Sequence, residues 1–200
     1  MLTMLAAVLD TCVLYSGLRR DFLLSLVAAG TYRLVLTEDI LYEIEYVEAR
    51  KLTARGIDHV RANQRAAHLV NQLRTNFEVE CDSRVEIVAP VGLPDPGDEH
   101  LVAAAIAGGA EVIVTENIRD LPAALLPTGI RTLHPREFLH DMVCADPHNA
   151  ARVLAEMTSR RQNPPQSETD MLGLLVLREN LHPTTADALR PFLPQRSTRT

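Results

Sequence analysis

Apolar residues in this chain fall into short continuous runs separated by longer stretches of helical period, and that alternation predicts an α/β fold. Leu5 to Leu9 is an unbroken apolar run closed by Asp10, which reads as a first strand with an acid at its carboxyl end. Thr11 to Ala29 carries Leu18, Phe22, Leu23 and Leu26 at helical spacing, with Gly30 as terminator. Leu34 to Leu36 predicts a second buried strand, and Thr37 then caps a helix opened by Glu38 and Asp39 whose buried stripe is Ile40, Ile44 and Val47. Glu43 flanks that stripe and can face the sheet edge. Ile57 to Phe77 predicts a long helix with Ile57, Val60, Ala67, Val70 and Leu73 inward.

Val85 to Ala89, Val112 to Val114 and Ile130 to Leu133 complete the strand set. A loop delivers Asp95 and Asp98 before a helix that stops at Gly108-Gly109. Strands alternating with helices predict a Rossmann-like parallel sheet of about four to five strands with right-handed crossovers. After His134 no strand pattern appears: helices are expected at Pro135 to Cys144, from Pro147, at Met171 to Leu181 and at Thr184 to Leu193. The division expected from this change is an α/β domain over residues 1–143 and a small all-α extension over 144–200.

Composition narrows the class. Hydrophobic residues make up 46% of the 200, enough for a core without staples. The three cysteines, Cys12, Cys81 and Cys144, are odd in number and form no Cys-x-x-Cys pair, which argues against a disulfide framework or a zinc site. Met4 to Leu9 is too short for a signal peptide or a membrane span, so a cytoplasmic protein without membrane contact is expected. The net charge of -6 disfavours indiscriminate nucleic-acid binding, yet Arg50 to Arg74 holds six basic residues against Asp58 alone. Arg61 and Arg65 in that run are candidate phosphate contacts, with a solvated helix face as the plain alternative.

The candidate chemistry lies in four carboxylates. Asp10 ends the first strand, Glu43 sits on a helix, Asp98 opens another, and Asp120 follows Val112 to Val114. In open α/β sheets the loops beyond the carboxyl ends of adjacent strands share a crevice. Acids gathered there repel one another unless a cation lies between them, and oxygen-only ligands favour Mg²⁺ or Mn²⁺ over zinc. Such a site suits water activation and phosphoryl chemistry. Taken singly, Asp98 also suits a helix cap, although Asp95 fits the loop better, and Asp120 suits a turn. His59, His68, His100, His134 and His140 lack metal-ligand spacing and read as surface or helix-end residues.

At these positions the sequence resembles the PIN-domain nucleases, most closely the VapC-type toxin ribonucleases of type II toxin-antitoxin systems. Leu9-Asp10-Thr11-Cys12-Val13-Leu14 is similar to the family's opening Asp-Thr-Asn-Val-Leu segment. Thr37 to Ile44 resembles its glutamate helix, Asp98 to Ala107 its third-acid helix, and Thr115-Glu116-Asn117-Ile118-Arg119-Asp120-Leu121-Pro122 its closing Thr-x-Asn-x-x-Asp-Phe motif. Cys12 replaces the common asparagine, which loosens a hydrogen bond expected to orient Asp10, and Leu121 replaces phenylalanine. The resemblance covers about residues 5–140.

It implies a metal-dependent endoribonuclease that leaves 5′-phosphate and 3′-hydroxyl ends. Asp10, Glu43, Asp98 and Asp120 would be its catalytic and metal-binding residues, holding one or two Mg²⁺ or Mn²⁺ ions, with Thr11, Thr115 and Asn117 supporting them. It also implies an RNA substrate, a cognate antitoxin and a homodimer. The alternatives are a non-catalytic PIN-like module that binds RNA or protein, and a phosphatase of the Asp-x-Asp-x-Thr type, in which Cys12 would occupy the second aspartate's place.

Overall fold

The computed structural model describes residues 4–80, 92–161 and 163–194. Its centre is a four-stranded parallel sheet in the order β2-β1-β3-β4, with β1 at Ala6–Leu9, β2 at Arg33–Val35, β3 at Val112–Val114 and β4 at Arg131–Leu133. Every residue of β1 and β3 is buried, which is why both read as continuous apolar runs rather than alternating ones. Leu9 lies opposite Val114, and the Asp10 N–H donates to the Val114 carbonyl at 3.0 Å. The residues that follow these two strands therefore emerge side by side. The strand expected at Val85 to Ala89 lies outside the described residues.

Contacts group the chain into two compact units: residues 1–15 with 33–134, and residues 16–32 with 135–200. The boundary expected from sequence differs in two places, because α2 (Gly17–Ala28) and α6 (Pro135–Ala145) both group with the later helices. The single helix expected over Thr11 to Ala29 is broken. A short α1 (Thr11–Leu14) ends at Tyr15, and extended backbone at Ser16 precedes α2.

In the first unit, α3 (Glu38–Ala54) starts at the Thr37 hydroxyl, which accepts from the Ile40 N–H, and buries Ile40, Leu41 and Ile44. Helix α4 (His59–Asn76) is capped by Asp58, whose carboxylate accepts from the Val60 and Arg61 N–H groups. Its inward stripe is Ala62, Ala66, Val70 and Leu73, whereas Val60 is 62% exposed. Val70 and Leu73 are buried as expected, but Ala62 and Ala66 take the places expected of Val60 and Ala67, and Ile57 precedes the helix. Helix α5 (Glu99–Ala107) packs on β1 and β3. It ends where a Cβ on Gly108 would come within 2.4 Å of Val35, so only glycine fits, and Gly109 continues at φ +60°.

The second unit contains α2 and α6 together with α7 (Pro147–Ser159), α8 (Glu168–Glu179) and α9 (Pro183–Leu189). Phe22, Leu23 and Leu26 of α2 are buried, and α2 packs on α7 and α8. Asp21 bridges Arg160 at 3.2 Å and Arg161 at 2.9 Å, and Tyr32 meets Phe138 edge-on with ring centroids 4.9 Å apart. Among the described residues, no helix is long and apolar enough to cross a membrane.

Candidate active site

Asp10 leaves β1 and caps α1, accepting from the Cys12 N–H at 3.2 Å on Oδ1. Its Oδ2 accepts from the Thr115 hydroxyl at 2.6 Å and from the Cys12 thiol at 3.0 Å. Thr115, fully buried just beyond β3, also accepts the Asn117 N–H at 2.9 Å, which sets the start of the loop carrying Asp120. The substitution at Cys12 therefore does not leave Asp10 loose, because the thiol takes up a donor role. Burial, then the Asp10 charge and its hydrogen bond, push the Cys12 thiol up to about 12, so it stays protonated and able to donate.

Glu43 projects from α3 toward α1 and α5. Its Oε2 accepts the Thr11 hydroxyl at 2.8 Å, and His100 Nε2 lies 3.3 Å from the same oxygen. The His100 ring is held from its other side by Nδ1, 2.7 Å from the Gly97 carbonyl. Pairing with His100 and the Thr11 hydroxyl holds the Glu43 carboxyl below its usual range against the opposing effect of partial burial. Burial opposes protonation of His100, but Glu43, the Gly97 carbonyl and the Asp10 charge raise it overall.

Asp98 stands between a 3-10 turn at Pro96–Asp98 and α5, and its side chain makes no capping bond. Asp95 does the capping instead, accepting from the Gly97 N–H at 2.8 Å. The Asp98 carboxyl is thus left to its electrostatic surroundings. Burial, followed by the charges of Asp10, Asp95 and Asp120, pushes it up to about 6. Asp120 lies in the turn after β3, where its N–H donates to the Asn117 carbonyl at 3.0 Å, and the next residue, Leu121, is fully buried.

Two of the four acids are thus held by neighbours, Asp10 by hydrogen bonds from Cys12 and Thr115 and Glu43 by the Thr11 hydroxyl with His100 at ion-pair distance, while Asp98 is coupled by charge to Asp10 and Asp120. Among the described residues, no three His, Cys, Asp or Glu side chains are gathered closely enough to hold a metal ion as they stand. The donors are nonetheless all oxygens, and the repulsion that raises Asp98 is what a divalent cation relieves, so the chemistry of the set fits Mg²⁺ or Mn²⁺. The Asn117 side chain faces solvent, as do Arg61 and Arg65 on α4.

His100 is the site residue that spacing arguments passed over. Its contact with Glu43 spans 57 positions of sequence and follows only once α3 and α5 are brought together. The one sequence signal was its place in the first turn of the helix that Asp98 opens.

Residues 6–119 match the family model described as PIN domain. Of curated proteins, the one described as "Putative ribonuclease VapC50" from Mycobacterium tuberculosis (strain ATCC 25618 / H37Rv) is similar to this chain. The two are 37% identical over 96 residues, which is 48% of this chain and 56% of that protein. The chain thus matches little more than half the length of that relative. No solved structure matches.

Proposed function

Since the chain belongs to the PIN-domain family, we propose that it is a divalent-metal-dependent endoribonuclease, acting as the toxin of a toxin-antitoxin pair. The observation that carries this reading is the pairing of Leu9 with Val114, which sets Asp10 beside Thr115 with 2.6 Å between their side-chain oxygens at two adjacent strand ends, Asp120 following in the same loop. The similarity to a relative whose name describes a ribonuclease supports RNA as the substrate. Asp10, Asp98, Asp120 and Glu43 would hold one or two Mg²⁺ or Mn²⁺ ions. Bound there, the metal supplies neutralisation of phosphoryl charge and activation of water.

The side chains of this protein do the positioning. Thr115 and Cys12 fix Asp10, and Thr11 and His100 both lie against Oε2 of Glu43. Asp98, with no capping bond, stays available as a ligand or proton acceptor. Attack of water on the scissile phosphorus with departure of the 3′ oxygen would leave 5′-phosphate and 3′-hydroxyl ends. An antitoxin would act by covering these acids, and a homodimer is proposed on the same resemblance.

The test is cleavage of a 5′-labelled single-stranded RNA in Mn²⁺. The wild type should cut and should stop in EDTA, while Asp98→Asn and Asp120→Asn should each lose at least a hundredfold in rate with the fold retained by circular dichroism. Metal-dependent cutting that survives both substitutions would reject the site. RNA binding without any cutting would favour a non-catalytic module.

A further inference from the structure

Helix α3 carries a second feature beside Glu43. Tyr42, Tyr46 and Arg50 recur every four residues and so share one face of the helix. The chain has four tyrosines and no tryptophan, yet these two stand 75% and 56% exposed. The Arg50 guanidinium lies over the Tyr46 ring at 5.5 Å from its centroid, a cation-π contact that steadies the ring, and Arg50 is itself exposed.

Beside this ring a cleft of about 440 Å³ opens between α3 and α4, lined by Tyr46, Arg50, Thr53, His59 and Asn63. The last two supply polar edges, with Asn63 Nδ2 3.3 Å from His59 Nδ1. The rest of the basic run is divided. Lys51 is buried, 3.0 Å from the Tyr15 carbonyl and paired with Glu48, and Arg74 is bound to Glu38, whereas Arg50, Arg55, Arg61 and Arg65 remain at the surface. At 1.5 Å of rise per residue, Tyr46 stands only about 5 Å along the helix from Glu43.

We propose that the α3–α4 cleft is a nucleobase subsite: one base of a single-stranded RNA stacks on Tyr46, and Arg50 contacts the adjoining phosphate. Stacking on an exposed aromatic with a cation alongside is how single strands are held without strong sequence preference. Placed on the same helix as Glu43, the subsite would set the strand beside the acids. The proposal deepens the ribonuclease reading and rests on it for its ligand.

The experiment uses the full chain and fluorescein-labelled RNA decamers of adenosine and of uridine, with binding by anisotropy and cleavage in Mn²⁺ measured in parallel. Tyr46→Ala should weaken binding about tenfold and raise KM by a similar factor with kcat changed less than threefold. Tyr46→Phe should restore both values, because it keeps the ring, and Arg50→Ala should lower the salt dependence of binding. Since Tyr46 is half exposed, thermal melting should show both variants folded. Unchanged binding and KM in Tyr46→Ala would overturn the subsite while a cutting wild type keeps the ribonuclease reading. Binding lost equally in the Ala and Phe variants would also overturn it, since stacking does not need the hydroxyl. A wild type that never cuts, but loses RNA on Tyr46→Ala, would preserve the subsite and remove the enzyme.

Discussion

Thr115 has more depending on it than its size suggests, because one hydroxyl serves Asp10 as donor and the Asn117 N–H as acceptor in a fully buried position. Thr115→Val keeps the shape and removes both bonds, leaving a carboxylate and an amide short of partners. The expected loss is about 2 kcal/mol of unfolding free energy by denaturant titration, with Thr115→Ser recovering most of it. A change within 0.5 kcal/mol would mean that neither bond matters. Asp98 behaves in the opposite sense. Its folded pKa, about 6, lies above the ordinary 3.8, so the folded state holds the proton more tightly and metal-free stability falls as pH rises between those values. Asp98→Asn should therefore stabilise the protein in EDTA at pH 8 by about 1 kcal/mol, a figure reduced for screening at a partly exposed site, and the gain should vanish near pH 4. No gain at pH 8, or one independent of pH, would contradict the charge coupling. Motif residues such as Asp10 and Thr115 were legible because their types are chemically restricted, whereas His100 was not, since its partner is set by packing rather than by spacing.

Among the elements, the strands were the most readable part, because continuous β-branched or aliphatic runs such as Val112–Val114 admit few other structures. Helix limits and faces were less so. The break at Tyr15–Ser16 carries no proline, and the face of α4 rests on Ala62 and Ala66, which a hydrophobicity reading ranks below Val60. At the junction of α5 with β2, Gly108 lies directly against Val35. Gly108→Ala should cost about 1–3 kcal/mol, because the added methyl meets both Val35 methyl groups, and Gly108→Ala with Val35→Ala should recover part of the loss. Equal melting temperatures for wild type and Gly108→Ala would show that the backbone yields there. The helices after residue 135 were legible as helices, but their grouping with α2 was not. It rests on Phe22, Leu23 and Leu26 packing on α7 and α8, with Asp21 meeting Arg160 and Arg161 beside them, contacts across more than 100 positions.

For the molecule as a whole, a net charge of -6 is compatible with the proposed RNA-cutting role because charge is unevenly distributed, with Asp10 and Asp120 just past the carboxyl ends of β1 and β3 and the exposed Arg50, Arg55, Arg61 and Arg65 within one run of α3 and α4. Sheet order makes this arrangement possible, since β1 sits between β2 and β3 and the chain reverses there. The central claim is that the acids at this reversal form a site for a divalent cation. Isothermal titration of the metal-free protein with MnCl₂ tests it most directly, and needs no RNA. The wild type should bind one or two ions, and Asp10→Asn with Asp98→Asn should weaken that binding at least tenfold while the protein stays folded. Equal Mn²⁺ affinity in the wild type and the double variant, or no saturable binding in the wild type, would contradict the account.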